Sequence, residues 1–186
     1  AGWRACWLGV SMASAGGRRM RRTTESAAWT PAAARAVAWK VGGAACALLA
    51  AANLVAGLAG GLARFGLPVP AAAMATHGAV LTCGFFGSLI SLEKAIAIGR
   101  LPGLLVPLIA GAGGLFAWAV TDVASGTAAW LVAAAGLAGL YAMAGARAWS
   151  VPLGVELAGA LCWAAGTLAW AVDIRETALL GWMAFL

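Results

Sequence analysis

Charge is what this sequence has least of: twelve Lys and Arg and six Asp and Glu in 186 residues, 10% of the chain, against roughly 25% in soluble domains. A soluble domain of this size could not hide the 63% of residues that are hydrophobic. Histidine occurs once, as His77, so no site needing two imidazoles can be drawn from this stretch. The four cysteines, Cys6, Cys46, Cys83 and Cys162, stand far apart with no CxxC pair. They read as small buried hydrophobes rather than as a redox or zinc motif. The glycines lie within apolar runs, with no Lys-Ser/Thr after them, which excludes a phosphate-cradling loop. No acid neighbours His77 in sequence, so a nucleophile with its base is not visible either.

What remains is Ala, Gly and long apolar blocks, each near the ~20 residues that cross a bilayer. The fold class expected is all-α, a polytopic transmembrane helix bundle of five full spans and the start of a sixth. Spans are expected over about 41–62, 71–92, 104–120, 128–143 and 153–172, with 178–186 incomplete. Nine apolar residues reach only about 13 Å of a hydrocarbon layer roughly 30 Å thick. The expectation is therefore that this is the N-terminal part of a longer protein. Residues 1–31, with Arg18, Arg19, Arg21 and Arg22 among Ser, Thr and Gly, read as a basic, disordered extension apart from the helical domain of 32–186.

The net charge of +6 does not point to nucleic acid, because the cations fall in alternate loops rather than on one amphipathic face. Ten of the twelve (Arg4, Arg18, Arg19, Arg21, Arg22, Arg35, Lys40, Lys94, Arg100 and Arg147) fall on one side of the expected spans, with Arg64 and Arg175 on the other. The positive-inside rule then puts the N-terminus in the cytoplasm of a bacterial inner membrane. The lipid bilayer is the partner this implies, along with other membrane subunits.

His77 sits about 10 Å inside the outer end of the second span. Ionisable side chains at such depth face the bundle interior and mark candidate sites. Neutral imidazole can ligate iron or copper through one nitrogen while the other donates a hydrogen bond. Below it Leu81, Gly84, Ser88 and Ser91 follow at helical spacings of three and four, a groove of small residues suited to a flat macrocycle or to a neighbouring helix. Met74, one turn earlier, could add a thioether to a copper site, or simply fill space. Glu93, Lys94 and Arg100 close the second span, and Glu156 lies just inside the fifth on the same side. An ion pair locking those two helices is one reading of Glu156, and a proton-relay carboxylate is the other.

The stretch HGAVLTCGFFGSLISLEKAIAIGR, from His77 to Arg100, resembles the NnrS type of multi-span bacterial proteins: a His-Gly start, a Gly-Phe-x-Gly centre and a Glu-basic-Ala end. It is more faintly similar to the haem-ligating helix of haem-copper oxidases. The pattern departs from the family at Leu81, where Met is common, and at Lys94, where Arg is. This resemblance implies a haem- or copper-binding protein of respiratory or nitrogen-oxide metabolism, with His77 as axial ligand to haem b and Gly84 and Ser88 forming its seat. The alternative is a non-catalytic structural or accessory subunit of a larger membrane complex. Third comes a transporter, with Pro107 as the one visible interruption of a span. Nothing in this stretch alone amounts to a catalytic set.

Overall fold

The structure, a computed structural model, describes residues 30–66, 68–120 and 122–186. The expected basic extension and Cys6 lie outside them. The described residues are predominantly helical, joined by short turns, with no strand among them. Five helical segments are long and apolar enough to cross a bilayer: Pro31–Phe65, Ala73–Ile98, Leu101–Ala119, Val123–Gly145 and Val151–Ala171.

Helix α1 (Pro31–Leu62) starts ten residues before the expected span. Its Ala-rich opening PAAARAVAWK carries Pro in the first turn and good helix formers after it, so the polar residues Arg35 and Lys40 do not delay the helix. The second span is not one regular helix. It comprises α2 (Ala71–Ala79), a π-helical turn over Val80–Phe86 and α3 (Gly87–Ile98). A 3-10 turn at Leu101–Leu104 leads into α4 (Leu105–Ala119). Pro107 therefore stands in the first turn of α4, where its missing N–H costs nothing, and it does not interrupt that span. The interruption lies in the second span instead.

Helix α5 (Val123–Gly145) begins five residues earlier than expected because Asp122 caps it, its Oδ1 accepting from Ser125 N at 3.0 Å. Ser150 caps α6 (Val151–Ala171) through Leu153 N at 3.4 Å. A last helix, α7 (Arg175–Phe185), covers about 16 Å, half a crossing.

Consecutive helices run antiparallel and pack closely where glycines face one another. A Cβ on Gly126 of α5 would come within 2.7 Å of Gly113 O on α4, and one on Gly181 of α7 within 2.7 Å of Gly166 Cα on α6. Such contacts bring backbones together where no aqueous hydrophobic effect drives association. The second span is the centre: α1, α4 and α5 all pack on it, and its Gly87 accepts the Trp163 ring of α6. Trp130, Leu137, Trp163 and Val80 form the fully buried core, with Phe185 of α7 stacked on Trp163 at 5.0 Å.

Candidate functional site

His77 lies on α2, half-buried, facing α1. A Cβ on Gly60 would meet His77 Cβ at 2.8 Å, and one on Gly61 would lie 3.6 Å from the ring. Its Nδ1 is 2.7 Å from Met74 O. A carbonyl only accepts, so Nδ1 carries the proton and donates. Met74 thus contributes its backbone; its side chain is 40% exposed. The thioether and imidazole are not held as a metal pair by that contact. Among the described residues no three His, Cys, Asp or Glu side chains come together as a metal site.

The small-residue face beneath His77 is filled by helices. Leu81 fits over Gly57 of α1, and a Cβ on Gly84 would strike the Asn53 side chain of α1. Ser88 Oγ donates to Pro107 O of α4 at 3.1 Å, and Ser91 is fully buried. A haem needs a flat cavity on this face; Gly84 and Ser88 have spent it on α1 and α4. The residues present do not fit the macrocycle.

The polar centre of the bundle is a residue the sequence reading passed over. Asn53 is fully buried, with Nδ2 donating to Leu49 O in its own helix at 2.8 Å and to Gly111 O of α4 at 2.9 Å. Its Oδ1 has no N–H or O–H donor and rests against Gly84 and Gly114, which themselves touch. Three helices therefore cross at one carboxamide, beside the π turn. The glycines offer Cα–H groups to the orphan oxygen, weak donors that recur at helix crossings. The signal that could have found it is simple: Asn53 is the sole Asn or Gln in the chain, and it stands inside an apolar run.

At the basic end, Lys94 Nζ lies 2.8 Å from Glu156 Oε2, the side chains being 17% and 45% exposed. The same Nζ stands 4.5 Å from the centre of the Tyr141 ring on α5. One lysine thus joins the second span to α5 and α6. Glu93 and Arg100 are exposed and outside this pair. Elsewhere Trp130 Nε1 donates to Ala110 O at 3.2 Å, and Trp182 Nε1 to Thr167 Oγ1 at 3.3 Å.

At the opposite end a shallow hollow of about 390 Å³ opens between α5 and α6, lined by Thr127, Leu131 and Trp170 among others. Its one hydroxyl, on Thr127, is bonded to Val123 O. No polar groups converge there, so it lacks the fixed donors and acceptors of a small-molecule site.

The resemblance of residues 77–100 to NnrS-type and haem-copper proteins is not upheld, for neither family matches. No curated protein and no solved structure matches the chain. A family model described as a domain of unknown function, DUF8744, matches residues 25–186. The Gly-Phe-x-Gly part of the signature is explained by packing, since glycines 84 and 87 admit Asn53 and Trp163, whereas a Cβ on Gly78 of the His-Gly pair would meet nothing within 4 Å. By a match that runs through all of the described helices, the chain belongs to the DUF8744 family.

Proposed function

We propose that this chain is a non-catalytic structural subunit of a bacterial inner-membrane complex, with its N-terminus in the cytoplasm. The observation that carries the reading is that the interior polar side chains that do find partners bridge helices. Asn53, Ser88, Trp130 and the Lys94–Glu156 pair each tie one helix to another. Side chains committed to such ties give a rigid bundle, and its outer faces are apolar: Leu48 and Val55 on α1, Val155 and Leu161 on α6, and Leu180 and Met183 on α7 are all more than half exposed. A bundle of this kind acts through what packs on it. The topology follows from the excess of Lys and Arg at the end where α1 begins.

The test is purification of the full-length protein from native membranes in a mild detergent. The expected result is a fixed-ratio complex well above the 18.5 kDa of this chain. A lone monomer across several detergents refutes the reading.

A second reading, transport, is favoured by one observation: the α–π–α interruption of the second span beside Asn53, since broken helices line substrate paths in transporters. It ranks below the first because Gly84, Gly114 and Asn53 close that crossing by contact. Solute uptake by proteoliposomes that is lost in Asn53→Leu would reverse the order.

A further inference from the structure

The bundle leaves one stretch of α1 uncovered. Every residue from Pro31 to Ala38 is exposed, Trp39 is half-buried and Lys40 is exposed. At 1.5 Å per residue α1 is about 48 Å long, longer than a hydrocarbon layer of roughly 30 Å and close to the ~40–45 Å that includes both headgroup layers. Counted back from Leu62, the apolar layer ends about 20 residues earlier, near Gly42. Lys40 and Arg35 then stand roughly 3 and 10 Å beyond it, at headgroup level.

A second element meets α1 at this height. Trp39 packs on the cluster of Leu92, Ala95 and Leu104, as do Ile98 and Leu101. Leu104 presses so close that a Cβ on Gly42 would lie 2.8 Å from its Cδ1. Arg100, between Ile98 and Leu101 in the chain, is exposed beside this contact. Arg35 and Lys40 thus flank Trp39 along α1, Arg100 adjoins Leu101 of the same cluster, and among the described residues no carboxylate pairs with the three. Among the described residues the ion pairs are Lys94–Glu156 and Arg175–Asp173. Glu156 is thus engaged, and Glu93, the other acid of this end, pairs with none of the three.

We infer that this rim binds the headgroup of an anionic phospholipid, with Arg35, Lys40 and Arg100 on the phosphate and Trp39 at the boundary between headgroup and acyl chain. Clustered cations immediately beside a membrane-spanning helix suit an anionic lipid surface. An indole, apolar in body and polar at its N–H, suits the interface between the layers. The inference rests on the membrane reading and not on the chain's having partner subunits.

Native mass spectrometry of the full-length protein in detergent, titrated with phosphatidylglycerol, with phosphatidylcholine and with inorganic phosphate, tests it. Phosphatidylglycerol should be retained at least tenfold better than phosphatidylcholine. Each cation near such a surface contributes about fivefold, so R35Q/K40Q/R100Q should lower the affinity roughly a hundredfold, while R64Q, at the opposite end, should leave it unchanged. All four side chains are exposed or nearly so, and an unaltered far-UV spectrum will confirm that the variants fold. Equal retention of the two lipids, or an unaffected triple variant, overturns the inference. Competition by millimolar inorganic phosphate assigns the rim to a free anion and overturns it too. Loss of a co-purifying subunit with lipid retention intact makes the rim a protein interface, a third refutation. A monomer that still retains phosphatidylglycerol refutes only the structural-subunit reading.

Discussion

Asn53 offers the sharpest test of the packing argument. Truncation to Ala removes one interhelical hydrogen bond, Nδ2 to Gly111 O. Such bonds average about 0.6 kcal/mol between membrane helices and reach about 1.7. Neither acceptor is orphaned, because Leu49 O and Gly111 O lie within helices and keep their backbone donors. Truncation also vacates roughly a few tens of Å³, which at about 24 cal/mol per Å³ adds about 0.5–1 kcal/mol. Asn53→Ala should therefore cost about 1–2.5 kcal/mol. Gly114→Ala acts the opposite way, driving a Cβ into the Asn53 carboxamide, and overpacking of this kind costs about 1–3 kcal/mol. In the double variant N53A/G114A the new methyl enters the space that Asn53 has left. Its cost should fall below the sum of the singles by about 1–2 kcal/mol. The assay is SDS or thermal unfolding of the detergent-purified protein, followed by tryptophan fluorescence. Strict additivity, or an Asn53→Ala variant as stable as the parent, would show that the three helices do not meet at this carboxamide.

Three further outcomes follow from the geometry. Lys94→Gln should destabilise more than Glu156→Gln, because Lys94 also loses the Tyr141 ring, a contact of about 0.5–1 kcal/mol; the pair itself, half open to solvent on the Glu156 side, should couple by at most about 1 kcal/mol in a double-mutant cycle, and the reverse order of the singles would refute the bridge. Bonds from Ser125 hold the Asp122 carboxyl below its ordinary value of 3.8, so the cap on α5 contributes fully above that pH and weakens as pH falls through the lowered folded value; helicity followed by circular dichroism should fall less on acidification in Asp122→Asn than in the parent, and an identical acid loss in both would refute the cap. For His77, purified protein should show no Soret band with or without His77→Ala, and the variant should lose little stability because the ring bonds its own helix; a Soret band abolished by His77→Ala would refute the filled-groove argument.

Much of the architecture was legible because it depends on composition over windows of twenty residues. The five apolar blocks and the turns near Pro68, Pro70, Pro102 and Pro152 needed no knowledge of partners. Boundaries were less legible. Hydropathy marks an apolar span only from about Val41, whereas the helix itself starts at Pro31, because an exposed helix tolerates Arg35 and Lys40. Hydropathy likewise starts the fourth span late, at about 128, because an acid such as Asp122 closes one apolar block and caps the next helix alike. Glu156 and Lys94 could be set on one end of the bundle by topology alone; that they meet at 2.8 Å, with Tyr141 between helices, belongs to rotamers and helix rotation.

The family resemblance that did not hold has a physical origin. Helical spacing correctly collects His77, Leu81, Gly84 and Ser88 on one face, but spacing on a single helix cannot say what covers that face. A haem and a neighbouring helix both ask for small residues, because both are flat or broad objects brought close to a backbone. The distinguishing information lay on other helices: the single carboxamide at Asn53, and glycines at 57, 60, 111 and 114 in register with it. Read together, α1 offers Gly60, Gly57 and Asn53 at steps of three and four, while the second span offers Ala73, His77, Leu81 and Gly84 in the opposite direction. Two complementary stripes running antiparallel are the mark of a helix pair, whereas a cofactor seat would show its stripe on one helix with nothing to match it. The same comparison carries over to any apolar chain with a lone histidine: the ligand reading should stand only if no second span presents the complementary pattern.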